Sequence, residues 1–288
     1  MAESSLYVAL FALLGLLVGS FLNVVIHRLP MMLERHWKQD AQALLAGDAE
    51  APAVEAEAAA ADRFNLCTPA SRCPHCQHQI RWFENIPIVS WLFLRGKCSQ
   101  CKTGISVRYP LVELANGLLW AYCIHRWGLT ATGAAWCFFS SMLLTAALID
   151  WDTTLLPDDL TLPLLWAGLL CSALGWIPVS LKDSLYGAAA GYLSLWSIYW
   201  AFKLLTGKEG MGYGDFKLLA ALGAWFGWQA LIPIALFSSV VGAVIGIGLK
   251  IFSSLREGGY MPFGPFLAGA GFLVMWFGTG IIDRLLQP

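Results

Sequence analysis

Charged residues are scarce in this sequence. They make up 13% of the chain, whereas soluble domains contain about 25%. Hydrophobic residues account for 58% of the positions, and the mean hydropathy is +0.62. A chain of this composition cannot be solvated as a water-soluble globule, so the composition indicates a membrane protein.

The number and positions of the basic residues argue against a nucleic-acid partner and against a cleavable signal. The formal net charge is -1, and a nucleic-acid partner needs clustered Lys and Arg against phosphate, so we expect no such partner. No basic residue precedes the first hydrophobic stretch, whereas His27 and Arg28 follow it. A cleavable signal has the reverse arrangement, so we expect this stretch to stay in the protein.

Eight hydrophobic stretches have about the length of membrane-spanning helices, for which about 17 to 25 residues are typical. They cover residues 6–26, 111–125, 134–149, 160–176, 185–202, 218–228, 232–251 and 263–282. The second and sixth are short, and the sixth would need Phe216 or Gln229 to complete its span. We therefore predict an all-α polytopic membrane protein with about eight transmembrane helices.

Lys and Arg are distributed unevenly between the loops that these helices define. Of the 18 basic residues, 15 fall within residues 28–108, 203–217 and 250–256, and three fall in the loops of the other side. The positive-inside rule places the long 28–108 loop in the cytoplasm and both termini outside. We expect three parts: a first transmembrane helix at 1–27, this cytoplasmic loop, and a membrane domain at 109–288.

The cytoplasmic loop contains an Ala- and Glu-rich insert at residues 41–62. Such a segment has few side chains with which to pack, so we interpret it as flexible or loosely helical. Its composition is typical of a spacer without chemistry.

Two Cys-x-x-Cys pairs follow the insert. Cys73 and Cys76 form the first pair, and Cys98 and Cys101 form the second, and Cys98 comes 22 positions after Cys76. Four thiolates at this spacing fit a tetrahedral zinc site, which folds a module too small to have a core of its own. A disulfide pair is the alternative, and the reducing cytoplasm disfavours it.

The remaining candidate ligands are weaker. His75 and His78 could replace a cysteine, but the repeated Cys-x-x-Cys pattern favours a surface position for both. Three unpaired cysteines, Cys123, Cys137 and Cys171, lie in apolar spans, where a small buried hydrophobe is the usual role.

The segment at residues 81–95 lies between the two cysteine pairs. It is aromatic and aliphatic, but it is too short and too closely flanked by charge to be a clear span. We interpret it as an interfacial segment that holds the zinc module against the lipid bilayer.

Asp150 and Asp215 each lie where a hydrophobic helix meets a loop, and acids are costly there. In the predicted topology both lie at the cytoplasmic ends of their helices, so they share a depth. Glycines at 210, 212 and 214 allow the backbone of a peptide substrate to approach Asp215 closely. Two carboxyl groups about 3 Å apart share one proton, so the charged one activates water while the protonated one polarises a carbonyl. The pair predicts an aspartyl protease dyad.

Simpler roles exist for the neighbouring acids and for one member of the pair. Asp158 and Asp159 begin a predicted helix, where capping and the helix dipole explain an acid. Asp152 is expected in a solvated loop. A plain N-cap role is also open for Asp215, whereas the dipole at the end of a span is unfavourable for Asp150.

Two other classes of protein remain as alternatives. A transporter or proton channel also keeps acids in spanning helices, but it is expected to have midplane acids and inverted repeats, and we find no internal repeat. A membrane-tethered zinc-binding module without enzymatic activity would explain the cysteines and leave Asp150 and Asp215 unexplained.

The chain resembles the type IV prepilin peptidases, which are GxGD membrane aspartyl proteases, along its whole length. Besides the two cysteine pairs, the resemblance is carried by Asp150, which lies eight residues before Asp158, and by five motifs. These are Gly19-Ser-Phe-Leu-Asn-Val-Val-Ile-His-Arg-Leu-Pro30, Glu84-Asn-Ile-Pro87, Leu94-Arg-Gly-Lys-Cys98, Arg108-Tyr-Pro-Leu-Val-Glu113 and Gly212-Tyr-Gly-Asp215. The insert at 41–62 is the one visible departure from the family pattern.

The resemblance implies two activities at the inner face of the bacterial cytoplasmic membrane. One removes the leader of prepilins and pseudopilins of type IV pili and type II secretion after a glycine, with Asp150 and Asp215 as the catalytic residues. The other methylates the new amino terminus with S-adenosylmethionine. The family's methylation function is associated with the cytoplasmic loop, which implies roles for Glu84, Gly96, Lys97, Arg108 and Glu113, although the chain lacks the glycine-rich nucleotide loop of soluble enzymes.

Overall fold

The computed structural model describes residues 2–46, 64–251 and 261–278. Regular structure in these ranges is helical, and the only β pairing there consists of two isolated bridges. The helices are α1 (Ala2–Ala46), α2 (Val89–Phe93), α3 (Arg108–Trp127), α4 (Ala131–Thr153), α5 (Asp158–Ala173), α6 (Leu181–Thr206), α7 (Tyr213–Phe226), α8 (Leu231–Ile251) and α9 (Gly264–Phe277), with 3-10 turns at Trp82–Asn85 and Trp228–Ala230. The predicted all-α class is confirmed.

Each predicted hydrophobic stretch coincides with a helix. In the described ranges, three segments are long and apolar enough to cross a membrane, namely Ser5–Leu45, Ala131–Thr153 and Trp228–Gly248, and Gly264–Phe277 is a shorter apolar helix. That all eight stretches cross the membrane remains a prediction. The last stretch was predicted to reach residue 282, and residues 279–282 lie outside the described ranges.

Helix α1 is longer than the first predicted span. It continues through Pro30 to Ala46, so at about 1.5 Å per residue it is about 68 Å long. The hydrocarbon core of a bilayer is about 30 Å thick, so an upright α1 would extend well beyond it. Residues 41–46 of the predicted insert belong to this helix, and residues 47–62 lie outside the described ranges.

The chain divides into two compact units, Met1–Tyr122 and Cys123–Pro288. In the first unit, asparagine side chains join α1 and α3. The side-chain amide of Asn116 donates to the Gly15 carbonyl at 2.7 Å, and that of Asn23 donates to the Tyr109 carbonyl at 3.1 Å. Such polar contacts hold helices together where apolar lipid provides no hydrophobic drive for their association.

In the second unit, α6 and α7 lie very close together. A Cβ atom on Gly187 would collide with the Gly223 carbonyl, and a Cβ on Gly223 would collide with that of Gly187. The Ser184 hydroxyl donates to the Ala224 carbonyl at 2.6 Å in the same crossing. Small residues thus allow the two backbones to approach, as in many membrane helix pairs.

An aromatic cluster sets the direction of α4 against α7 in this unit. Trp136 and Phe139 from the first half of α4 contact Trp225 and Phe226 at the end of α7, with ring centroids 4.8–5.4 Å apart. The start of α4 therefore meets the end of α7. This antiparallel arrangement brings the end of α4 towards the start of α7, where the two predicted catalytic acids lie.

Candidate active site and candidate metal centre

Asp150 lies in the last turn of α4 and is buried, with 4% of its surface exposed. Its Oδ2 accepts a hydrogen bond of 2.8 Å from the backbone N–H of Gly264, the first residue of α9. The dipole of α4 disfavours a carboxylate here, whereas the positive end of α9 favours one. A contact from a distant helix therefore offsets the unfavourable local position.

Asp215 is the third residue of α7 and is 7% exposed. The N-cap of this helix is Gly212, not Asp215, and the Asp215 backbone N–H donates to the Gly212 carbonyl at 3.3 Å. The Asp215 carboxyl lies within electrostatic range of the Asp150 carboxyl. The structure therefore brings together the two acids that the sequence singled out.

Leu156 lies between the segments that carry the two acids. A Cβ on Gly214, the neighbour of Asp215, would lie 2.6 Å from the Leu156 Cβ. A Cβ on Gly264, which binds Asp150, would lie 3.1 Å from the Leu156 Cδ1. The lack of a side chain at these two glycines therefore allows the backbone beside Asp215 and the backbone that binds Asp150 to pack closely on Leu156.

Other acids near the pair have different surroundings. Asp158 is the first residue of α5, as the interpretation of an acid at a helix start expects, and the N-cap of this helix is Pro157. Its oxygens accept hydrogen bonds of 2.6 and 2.8 Å from Lys217, two residues after Asp215. Asp152 and Asp159 are exposed, in contrast to Asp150 and Asp215.

The loop between α6 and α7 is attached at its middle to the end of α6. Glu209 accepts a hydrogen bond of 2.8 Å from Lys203, whose ammonium group also lies 3.2 Å from the Tyr199 hydroxyl. The Lys203 ammonium holds the pKa of the Glu209 carboxyl below its ordinary value, so Glu209 is ionised at neutral pH. The Tyr199 ring in turn contacts that of Tyr213 at the start of α7.

The four cysteines predicted as metal ligands converge in the first unit. Their sulfur atoms all lie within 4.8 Å of one another, and among the described residues they form the one group that could hold a metal ion. Two of the distances are 3.7 Å, between Cys73 and Cys101, and 3.9 Å, between Cys76 and Cys98. Four thiolates about 2.3 Å from a zinc ion would be about 3.8 Å apart, so the donor set fits zinc.

The two Cys-x-x-Cys pairs have the same backbone geometry. Cys73 N–H donates to the His78 carbonyl, and Cys98 N–H donates to the Thr103 carbonyl, five residues on in each case. The residue after each second cysteine has a positive φ, 59° at Gln77 and 61° at Lys102. The pairs are thus two copies of one turn, which presents both sulfurs on the same side.

Glu84 joins the first cysteine turn to the segment that follows it. Its carboxylate accepts the Arg81 backbone N–H at 2.9 Å and lies 3.2 Å from Nε2 of His78. The Arg81 N–H, the Ser99 side chain and His78 hold the pKa of Glu84 below its ordinary value. Glu84 is therefore an ionised group that ties the module together, and His78 is its partner.

The other four residues implied in methyl transfer make separate contacts in the first unit. Glu113 in α3 is buried and accepts a hydrogen bond of 2.7 Å from the Ile88 N–H, just before α2. Gly96 has a φ of +66° and packs against Trp91. Lys97 is exposed and pairs with Gly104 in an isolated bridge, and Arg108 begins α3.

The segment at residues 81–95 forms a short 3-10 turn and α2, and it exposes large apolar side chains. Phe93 is 88% exposed and Trp82 is 82% exposed, and Leu92 and Val89 are also exposed. This surface has the composition expected of the interfacial segment predicted from the sequence. Cys123, Cys137 and Cys171 are buried as expected.

Sequence reasoning missed three features of these sites. It did not identify Gly264 as a partner of Asp150 or Lys217 as the partner of Asp158. It also did not identify Leu156 as the residue on which Gly214 and Gly264 both pack. The Gly264-Pro265 pair at a helix start was a usable local signal, because Pro at the first turn marks a helix N-terminus. Its link to Asp150 spans 114 positions and has no local signature.

Comparison with known proteins identifies the family. The Bacterial Peptidase A24 N-terminal domain matches residues 13–127, and the Type IV leader peptidase family matches residues 137–247. A protein of Stutzerimonas stutzeri named prepilin leader peptidase/N-methyltransferase is 55% identical over 288 residues, covering 100% of this chain and 96% of its own length. Proteins of the same name from Pseudomonas aeruginosa and Aeromonas salmonicida are 53% and 52% identical, covering 96% of this chain and 92% of their own lengths.

No solved structure matches the chain. The two family matches together cover most of its length, and the relatives align with it nearly from end to end. The chain therefore belongs to the type IV leader peptidase family.

Proposed function

We propose that this chain is a membrane aspartyl endopeptidase that removes the leader of prepilins and pseudopilins after a glycine, and that it also methylates the new amino terminus. The observation that carries the peptidase assignment is the pair of buried carboxyl groups of Asp150 and Asp215, at facing ends of α4 and α7. The relatives described above are named for both activities, and this supports the second one.

Peptide hydrolysis by the pair needs one proton shared between two carboxyl groups. The charged carboxylate takes a proton from water, and the water oxygen attacks the carbonyl carbon of the scissile bond. The protonated carboxyl donates a hydrogen bond to the carbonyl oxygen as negative charge develops on it. The proton taken from water then passes to the peptide nitrogen as the C–N bond breaks, which frees the new amino terminus. Burial of both groups strengthens these interactions, because the surroundings have a low dielectric constant.

The substrate backbone must reach Asp215 directly. Gly212 and Gly214 precede it, and a Cβ on Gly212 would have only the Gly214 backbone nitrogen, at 3.9 Å, as a neighbour. The backbone on that side is therefore open to an extended peptide. The open backbone at Gly212 supports Asp215 as the member of the pair that meets the scissile carbonyl.

We infer that Cys73, Cys76, Cys98 and Cys101 hold a structural zinc ion in the cytoplasmic loop. The metal would supply the cross-link that a module of this size cannot obtain from a hydrophobic core. S-adenosylmethionine would supply the methyl group when bound. The contacts of Glu84, Gly96 and Glu113 support a role of these residues in the shape of the module.

The topology proposed for this function has eight transmembrane helices in the bacterial cytoplasmic membrane, with the peptidase site facing the cytoplasm. The 15 basic residues on one side support this orientation. A basic leader would be held on that side by the same surface potential that orients the chain. The division of the chain into three parts, 1–27, 28–108 and 109–288, belongs to the same proposal.

The experiment that tests the function is incubation of the purified protein with a prepilin, with and without S-adenosylmethionine, followed by intact-mass measurement. We expect loss of the leader in both samples and the gain of one methyl group only with the methyl donor. An unchanged substrate mass would contradict the peptidase assignment, and leader loss without methyl gain would contradict the second activity.

A further inference from the structure

The start of α9 leaves one backbone donor for a partner outside the helix. The first N–H groups of a helix have no acceptor within it. Pro265 has no N–H, and Phe266 and Leu267 both donate to the Phe263 carbonyl, at 3.1 and 3.2 Å. The N–H of Gly264 is therefore the first-turn donor that has no acceptor within its own helix.

That donor is bound by Asp150. The N–H of Gly264 lies 2.8 Å from Oδ2, and both residues are buried. A hydrogen bond from a backbone N–H to a charged carboxylate is about twice as strong as one between neutral groups. The positive end of the α9 dipole adds to it.

Space, not backbone conformation, requires glycine at position 264. Gly264 is not among the glycines with positive φ. A Cβ there would lie 2.6 Å from Oδ2 and 3.1 Å from Cγ of Asp150. Any larger residue must push the carboxylate away from its place beside the N-terminus of α9.

We propose that Gly264 is a positioning residue for peptide hydrolysis, whose N–H holds Asp150 as the ionised partner of the pair and fixes its direction. The inference rests on the proposed peptidase function and deepens it, because it assigns the water-activating role to Asp150 and the carbonyl-polarising role to Asp215. Helix α9 thereby becomes the third element of the site, beside α4 and α7.

The test compares two identical substitutions in one helix. Gly264→Ala should lower kcat for leader removal at least about 100-fold with little change in KM, because a displacement of about 1 Å can cost that factor. Gly269→Ala is the matched control, since a Cβ at Gly269 would have no atom within 4 Å. The control should cleave at the parent rate.

Three outcomes would overturn this inference without touching the proposed function. They are cleavage by Gly264→Ala near the parent rate, a rise in KM with kcat unchanged, and equal losses in the two glycine variants. If the proposed function itself were wrong, the parent protein would leave the prepilin intact. This result is different from each of the three outcomes above. Methyl gain on an already cleaved substrate should be the same in Gly264→Ala as in the parent.

A stability measurement keeps the test decisive if Gly264→Ala folds poorly. In an Asp150→Ala background the added methyl group has no carboxylate to displace, so Gly264→Ala should lower the Tm less than it does in the parent. Residues in contact show such coupling, whereas independent sites are additive. Equal losses of Tm in the two backgrounds would overturn the inference.

Discussion

Lys217 and Asp158 form an ion pair with an Nζ to Oδ1 distance of 2.6 Å, although they are 59 positions apart. Lys217 lies two residues after Asp215 in α7. Asp158 is the first residue of α5, the helix after the one that contains Asp150. The ion pair therefore joins α7, which carries Asp215, to the start of α5, the helix that follows Asp150 in the chain.

We predict that loss of the ion pair has a small effect on activity, and that loss of either partner has the same effect as loss of both. Both side chains are partly exposed, at 28% and 55%, and such pairs contribute at most about 1 kcal/mol. We expect Lys217→Met and Asp158→Asn each to lower kcat for leader removal by no more than about 5-fold, and the double variant to be no worse than either. Steady-state cleavage rates test this, and a loss as large as that of an Asp215 variant would place Asp158 in the chemistry.

The cysteine cluster predicts one zinc ion per chain. Replacing Cys73, Cys76, Cys98 or Cys101 by Ser removes one of four thiolates, so metal content should fall and the loop should become sensitive to protease. Cys67→Ser is the matched control, because Cys67 is exposed and lies outside the cluster. Elemental analysis of protein purified in reducing buffer measures the metal. A parent protein without zinc, or a loss in the control equal to that in the cluster variants, would contradict the proposed centre.

Gly96 provides a test of whether the two activities separate. A side chain at its φ of +66° costs about 1 to 2 kcal/mol, and a Cβ would also lie 2.8 Å from Cζ2 of Trp91. Gly96→Glu should therefore distort the module and lower methyl transfer more than leader removal. Gly104→Glu is the control, since a Cβ at Gly104 meets nothing within 4 Å.

Both products of the Gly96 experiment are read in one mass spectrum. Equal loss of leader removal and methyl gain in a variant that keeps its helix content and its zinc would contradict a division of labour. So would equal loss of methyl gain in the Gly96 and Gly104 variants.

Features encoded locally could be predicted from the sequence. Hydrophobic length located every long helix, and the repeated Cys-x-x-Cys spacing identified four residues whose sulfur atoms do converge. The extent of α1 was underestimated because hydropathy reports burial in lipid, whereas residues 31–46 include four charged residues and still favour a helix.

Contacts between distant segments could not be predicted in this way. Asp158 was interpreted from its local position as an acid explained by capping and the helix dipole, and it does begin α5, but the partner of its carboxylate is Lys217 from another helix. Asp150 was described as poorly placed for a helix dipole, and the structure supplies the dipole of α9 instead. In both cases the partner depends on packing, which composition and spacing do not encode.

The proposed pair predicts that Asp150 and Asp215 act as one unit. Because hydrolysis needs one charged and one protonated carboxyl group, Asp150→Asn and Asp215→Asn should each abolish leader removal. The double variant should lose little more than either single variant, since groups that act together are strongly non-additive. Asp152→Asn, an exposed acid in the same turn as Asp150, is the control and should keep substantial activity.

The most direct measurement is the rate of leader loss from a prepilin, followed by intact mass for the parent, the two single Asn variants, the double variant and the Asp152→Asn control. The account predicts rapid leader loss by the parent and the control, and none above background by the other three. Cleavage near the parent rate by either Asp150→Asn or Asp215→Asn would contradict it.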